Sequence, residues 1–218
     1  MTKIKVLVVD DHELMSQALQ HFINSTDDLE SVGSAKDGVE AIARTAELQP
    51  DVVLMDMQMP RMDGVEATQR ILASDHRPAV VAITTFATDE YVVPAFGAGV
   101  QGFIVKDSKP HEVAEAVRQA HQGMMTVSPA VAKVLVQSAL EAPAKKLRTD
   151  DLLEPLTSRE QEVLTAVGTG LSNKDIGAQL FVTEATVKAH IGRMMMKFGV
   201  QNRVQLVVAA TRAGLIDL

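Results

Sequence analysis

An α/β domain on a five-stranded parallel sheet, followed by a smaller all-α domain, is the architecture this 218-residue sequence predicts. Three observations predict it. Through residue 123, short apolar runs alternate with segments of helical period, the pattern of parallel strands joined by right-handed crossover helices. Two of the runs stop abruptly at acids, Asp10 and Asp56, as strands do at the ligand-binding edge of an open sheet. From Leu156 onward no strand pattern remains, only four short helical segments divided by capping residues and glycines.

The first run, Ile4–Val9, ends in Asp10-Asp11-His12. Basic residues precede it, but the acid pair closes the apolar stretch within about ten residues, so a first strand is expected rather than a signal peptide. A helix at Glu13–Asn24, a strand at Leu29–Ala35 and a helix at Gly38–Leu48 follow. Next comes the stretch that organises the domain, DVVLMDMQMPRMDG from Asp51 to Gly64. A short apolar run bounded by turn signals reads as a strand buried on both faces, here Asp51–Met55. Asp56 then stands at its carboxyl end. A carboxylate in that place is costly unless paired. It either caps the helix that begins after Gly64 or belongs to a reactive site.

Beyond it lie a helix at Val65–Ala73, a strand at Ala79–Thr84, a helix at Asp89–Ala98, a strand at Gly102–Val105 and a helix at His111–Gln122. Pro94 and Gly97 fall inside the fourth helix. An interior proline costs roughly 3 kcal/mol, so that helix is expected to be short or kinked, or poised to move. The flavodoxin-like strand order 2-1-3-4-5 places strands 1 and 3 at the switch point, where Asp10, Asp11 and Asp56 would meet.

Three carboxylates together raise one another's pKa unless a cation joins them. Oxygen ligands with room for water suit Mg²⁺, or Mn²⁺. Two further strand ends bring a hydroxyl, Thr84, with Thr85 beside it, and an amine, Lys106. A carboxylate, a divalent cation, a hydroxyl and an ammonium suit transfer of a phosphoryl group onto Asp56. His12 is expected to be a first-turn surface residue, since no second His or Cys offers zinc-type spacing. The methionines flanking the acceptor turn, Met57, Met59 and Met62, read as filler.

Residues 1–123 resemble the receiver domain of two-component response regulators. Asp10 and Asp11 match its acidic pair, Asp56 its phospho-acceptor, Thr84 its switch hydroxyl, Phe103 its switch aromatic and Lys106 its invariant lysine. The resemblance implies that Gln58 offers a backbone carbonyl to the metal. It also makes the fourth helix and fifth strand an output face. Asp107 stands where many receivers carry proline, and a non-proline cis bond is not expected. Thr85 stands where the family prefers a small residue beside the phosphoryl group.

Residues 124–155 read as a connector. Ser128–Leu140 has proline at its second position and apolar residues at helical spacing, which suits a linker helix. The remainder, with Pro143, Pro155 and mixed charges, reads as a tether. Residues 156–218 then form the second domain. Thr157-Ser158-Arg159-Glu160 is a capping pattern opening a helix to about Val167. Ser172-Asn173-Lys174-Asp175 opens a helix ending near Leu180, Thr183 opens one to Phe198, and Asn202–Ala213 makes the fourth.

The turn at Phe181-Val182 and the basic third helix predict a helix-turn-helix. The string LTSREQEVLTAVGTGLSNKDIGAQLFVTEATVKAHI closely resembles the LuxR-type DNA-binding domain. Together the two halves resemble the NarL/FixJ branch of response regulators. That resemblance makes Thr183–Phe198 the recognition helix, with Lys188 the first candidate for DNA contact. Lys174, Thr183, Thr186, Arg193 and Lys197 are further candidates, and His190 is more a packing residue. Ala189 and Gly192 stand where relatives carry polar or basic readers, which leaves apolar contact or close backbone approach.

Composition fits. The net charge of −7 is uneven: residues 1–140 hold 11 basic and 19 acidic residues, whereas Lys174 to Arg212 hold 6 and 2. An acidic module joined to a locally basic one is the expected balance. There is no cysteine, which excludes disulfides and thiolate metal sites and fits a cytoplasmic address. No segment approaches the roughly 18 consecutive apolar residues of a membrane span.

The expected function is a phosphorylation-switched transcriptional regulator rather than a dedicated enzyme. A sensor histidine kinase phosphorylates Asp56, which changes dimerisation, exposure of the DNA-binding domain or both, and a homodimer binds double-stranded DNA at a two-fold or tandem site. Two rivals remain. A phosphoryl-aspartate hydrolase would carry a second acid two residues after its nucleophile, where Gln58 stands. A phosphorylation-independent DNA-binding regulator would carry a vestigial receiver.

Overall fold

The computed structural model describes residues 3–85, 89–127, 131 and 155–216. The chain divides into two compact units.

The first unit is a parallel sheet of β1 (Ile4–Val9), β2 (Leu29–Ala35), β3 (Val52–Asp56), β4 (Ala79–Thr84), β5 (Gly102–Val105) and β6 (Thr126–Val127). Helices α1 (Glu13–Asn24), α2 (Gly38–Leu48), α3 (Gly64–Leu72), α4 (Asp89–Ala98) and α5 (Pro110–His121) connect them. The strand order is β2-β1-β3-β4-β5-β6. The five expected strands stand in the expected order. β6 is an addition, pairing Thr126 with Gly102 and Val127 with Phe103, and two residues are too few to show a period in sequence.

Side-chain alternation sorts the strands into two apolar layers. Leu7, Val9, Val53, Met55, Val80, Ala82 and Phe103 face one way, packed with Ala41, Ala67 and Ile71 from α2 and α3. Val6, Val8, Leu54, Val81, Ile83 and Ile104 face the other, against Leu19 and Ile23 of α1 and Val113 and Val117 of α5. Every residue of β3 and β4 is buried, as strands covered by helices on both faces must be.

Register then fixes the site. Val9 pairs with Met55, so Asp10 and Asp56, the next residue on each chain segment, arrive side by side. Met55 pairs with Ala82 and Thr84 with Val105, which brings Thr84 and Lys106 to the same edge. The capping alternative for Asp56 does not hold. Asp63 caps α3, accepting the Glu66 amide at 2.8 Å, so Asp56 is not its cap.

Gly64 opens α3 against the acceptor strand. A Cβ there would collide with the Asp56 carbonyl oxygen and stand 2.8 Å from Met57 Cα. The fourth helix is short, ten residues, with Pro94 in its interior. The linker helix expected over Ser128–Leu140 and most of the tether lie outside the described residues.

The second unit contains α6 (Ser158–Gly168), α7 (Asn173–Leu180), α8 (Glu184–Phe198) and α9 (Arg203–Arg212). Each begins at a side-chain cap: Thr157, Ser172, Thr183 and Asn202. Such caps satisfy amides that the helix itself leaves unpaired. Val163, Leu164, Val167, Ile176, Val187, Met194, Leu206 and Ala210 form the core. Gly177 lets the α7–α8 turn close, because a Cβ there would lie 2.8 Å from the Val182 carbonyl oxygen. Among the described residues, no helix is long and apolar enough to cross a membrane.

Replacing Gly64 by Ala should destabilise the first unit by about 3 kcal/mol, the upper range for overpacking against backbone that cannot give way. Urea denaturation followed by circular dichroism measures it. A midpoint unchanged from wild type would contradict the close approach.

Candidate functional site

At the carboxyl edge of the sheet, Lys106 Nζ lies 2.6 Å from Asp56 Oδ2 and 2.8 Å from Asp10 Oδ2. The Asp10 and Asp56 side chains are almost wholly buried, and Lys106 nearly so. The Gln58 amide donates to Asp56 Oδ1 at 3.1 Å, and the His12 amide donates to Asp10 Oδ1 at 2.9 Å. Burial pushes the Asp56 carboxyl above the usual carboxylate range, against hydrogen bonds from Lys106 and the Gln58 amide. Burial works against the Lys106 ammonium too. Its contacts with Asp10 and Asp56 outweigh that and raise its pKa.

Asp10, Asp11, His12 and Asp56 offer ligand atoms within 4.8 Å of one another. Asp10 Oδ2 is buried without an aligned hydrogen bond, although the Lys106 ammonium is close. A buried carboxylate oxygen lacking a directed partner, in a cluster of oxygen donors, fits a hard divalent cation. His12 is exposed, and its Nδ1 is 2.7 Å from Asp11 Oδ1, the surface position expected for it.

Thr84 is completely buried and Thr85 beside it is exposed. Phe103 is among the largest fully buried side chains, turned into the layer with Met55 and Val80. One interaction at this end was not foreseen. Arg61, with a left-handed φ of 68°, forms an ion pair with buried Asp37, the cap of α2. The acceptor turn is thereby tied to the start of a neighbouring helix.

In the second unit, α8 buries Val187, Ile191, Met194 and Phe198. Lys188 is exposed on the opposite face, 3.2 Å from Glu184 Oε1. Thr183 caps the helix, and its hydroxyl shares a hydrogen with that of Thr186 at 2.8 Å. Lys174 is exposed at the start of α7. Arg193 Nη2 lies 2.9 Å from His190 Nδ1. Burial and the neighbouring Arg193 charge lower the His190 pKa, which favours the neutral ring.

Lys197 stands apart from the other candidates. Its ammonium donates to Glu160 Oε2 at 2.8 Å and to the Pro155 carbonyl at 2.9 Å, and its side chain is 13% exposed. Glu160 also completes the capping box with Thr157, accepting its amide at 2.8 Å. The Thr157–Glu160 motif was legible. Its tie to a lysine on another helix was not.

With this geometry established, comparison with known proteins identifies both halves. A model of the response regulator receiver domain matches residues 6–118. A model of bacterial regulatory proteins of the luxR family matches residues 154–210. The chain belongs to the response regulators.

Among full-length relatives, the transcriptional regulatory protein YxjL of Bacillus subtilis is 38% identical over 99% of this chain and 98% of its own. LiaR of the same organism, also a transcriptional regulatory protein, is 37% identical over 98% of this chain and all of its own. The response regulator VraR of Staphylococcus aureus is 38% identical over 98% of this chain and 99% of its own. Among solved structures, the response regulator ChrA of a heme-sensing two-component system is 34% identical. It covers 99% of this response regulator and 100% of its own chain with a TM-score of 0.54. The response regulator domain of Thermotoga maritima CheB is 34% identical over 55% of this chain and 96% of its own, with a TM-score of 0.51. This response regulator therefore joins a receiver domain to a LuxR-type DNA-binding domain.

Burial raises the Glu160 pKa, but hydrogen bonds from Lys197 and Thr157 with the Lys197 charge outweigh it, so the net shift is downward. A depressed carboxylate contributes stability that is present at neutral pH and lost as pH falls through its folded value. Lys197→Ala should cost the second domain about 3 kcal/mol at pH 7, because it strands a buried charge. The gap from wild type should narrow toward pH 3. Thermal unfolding across that range tests it, and a gap independent of pH would contradict the pairing.

Proposed function

We propose that this response regulator is a transcription factor switched by phosphorylation of Asp56, with a receiver over residues 1–123, a connector over 124–155 and a DNA-binding domain over 156–218. The observation that supports this best is the Lys106 ammonium set between Asp56 and Asp10 at 2.6 and 2.8 Å. A buried nucleophile held beside a cation is what phosphoryl transfer to a carboxylate requires.

In this reading the donor is a phosphohistidine of a sensor kinase. An Asp56 carboxylate oxygen forms the new P–O bond as the P–N bond to the imidazole breaks. Lys106 keeps Asp56 ionised against the pull of burial and then faces the phosphoryl oxygens. Asp10, Asp11, Asp56 and the Gln58 carbonyl would hold Mg²⁺ or Mn²⁺, which supplies further positive charge to those oxygens. Thr84 stands at the next strand end to bind a phosphoryl oxygen by its hydroxyl, and Phe103 repacks in response. The protein takes part in its own phosphorylation and dephosphorylation and is not a dedicated enzyme.

Phosphorylation shifts a pre-existing equilibrium toward a homodimer. Lys188, with Lys174, Thr183, Thr186 and Arg193 around it, then meets double-stranded DNA at a two-fold or tandem site, where two weak half-site contacts reinforce each other. The cytoplasm is where such a protein meets its DNA and its kinase.

Acetyl phosphate with Mg²⁺ should shift the full-length protein to the dimer by light scattering, and Asp56→Asn should abolish the shift. A chelator should abolish it as well. Modification of Asp56 without any change in mass would rule out assembly as the output, and no modification at all would return the receiver to a vestigial role.

A further inference from the structure

The polar groups of the recognition helix are fewer than its sequence implies. Thr183 and Thr186 are engaged with each other at the cap. Arg193 meets His190, and its Nε lies 3.9 Å from Glu160. Lys197 is held by Glu160 and the Pro155 carbonyl. Along the rest of the outward face, Ala185, Ala189 and Met196 are exposed and carry no hydrogen-bonding side-chain group. At Gly192, no atom lies within 4 Å of where a Cβ would stand. Arg193 stays half-exposed further along the helix, and nearest the helix start one ion pair faces outward: Lys188 Nζ and Glu184 Oε1, 3.2 Å apart, each side chain more than a third exposed.

We propose that Glu184 and Lys188 work as one unit that reads a single G·C base pair, an inference that rests on the DNA-binding role of this helix. The N-terminal residues of a recognition helix are those that reach base edges, and Glu184 is the first residue of α8. In the major groove a G·C pair shows two acceptors side by side, guanine N7 and O6, followed by the cytosine N4 donor. In an A·T pair the donor lies between two acceptors. The ion pair offers donor beside acceptor at a spacing close to the ~2.9 Å of a base-pair N–H···O bond.

The ammonium therefore spans N7 and O6 while the carboxylate accepts from N4. On A·T the ammonium keeps one acceptor and meets the adenine amino group where it needs a second. Lys188 alone would take any acceptor or phosphate. Glu184 makes it selective. It is the specificity residue of the pair.

The test uses the full-length protein, treated with acetyl phosphate and Mg²⁺, and selection from a randomised duplex pool. Wild type should fix at least one G·C pair in each half-site. Binding is then measured to that site and to its three other base pairs at the same position. Glu184→Ala should reduce the preference for G·C over A·T about tenfold at that position only. Glu184→Gln should move the preference toward A·T, since a carboxamide pairs with adenine N6 and N7. Circular dichroism checks that each variant is folded. If Glu184→Ala strengthens binding to all four duplexes equally and leaves their ranking intact, the carboxylate merely repels phosphate and the proposal falls. If wild type selects no sequence, the DNA-reading role itself fails, and this pairing with it.

Discussion

The bridge that Lys106 makes between Asp56 and Asp10 is the constraint on which the receiver depends. Two carboxylates buried at one sheet edge would repel each other and forfeit their hydration. The ammonium, 2.6 and 2.8 Å away, offsets both costs. It can do so only because β1, β3 and β5 run parallel in a register that ends them at one level. The two apolar layers of the sheet exist, in this sense, to hold three charges within reach of one another. Burial raises the Asp56 pKa, and the hydrogen bonds from Lys106 and the Gln58 amide oppose that shift.

The DNA-binding domain solves a related problem with the same chemistry. Glu160 is buried and joins the start of α6 to the end of α8 through Lys197. A pair of this kind adds little net stability compared with apolar packing, but removing one partner is costly. It ties the start of one helix to the end of another, and α8 is the helix proposed above to meet DNA. Arg203 contributes similarly. Burial lowers its pKa to about 10, and its guanidinium donates to the carbonyls of Leu171 at 2.6 Å and Val167 at 3.4 Å. It thereby ties α9 to one carbonyl in the last turn of α6 and to one in the loop that follows it.

Much of this was legible in the sequence, and the physics explains which parts. Period and punctuation are local, so Ile4–Val9, Leu29–Ala35 and Ala79–Thr84 emerge with the strand limits the sequence predicts. Acids at strand ends are local too, and the fold carries them to one edge, which is why Asp10 and Asp56 could be paired without coordinates. What failed to show was anything that turns on a distant partner. Lys188 and Lys197 are alike as letters on a basic helix, yet one is exposed and the other is sealed against Glu160, 37 residues away. The two roles Asp56 could play were separable only once Asp63 was seen to hold the cap. β6 escaped because two residues carry no period, and the Arg61–Asp37 pair because it joins two loops.

Charge sets a further limit on how the switch acts. The whole chain carries −7, and phosphorylating an aspartate adds roughly one more negative charge at neutral pH. Phosphorylation therefore cannot promote DNA binding by improving the chain's overall attraction to a polyanion, because it moves that balance the wrong way. The added charge arises in a buried pocket whose nearest cation is Lys106. There Lys106 must divide itself between the carboxylates and the new phosphoryl oxygens. In the proposed switch that local exchange is the signal, and its output is a change of shape or of assembly. For a DNA-binding segment with 6 basic and 2 acidic residues between Lys174 and Arg212, a second copy on the same DNA doubles the favourable contacts. The charge balance thus leaves assembly, proposed above as the output, open to a weak, locally basic module.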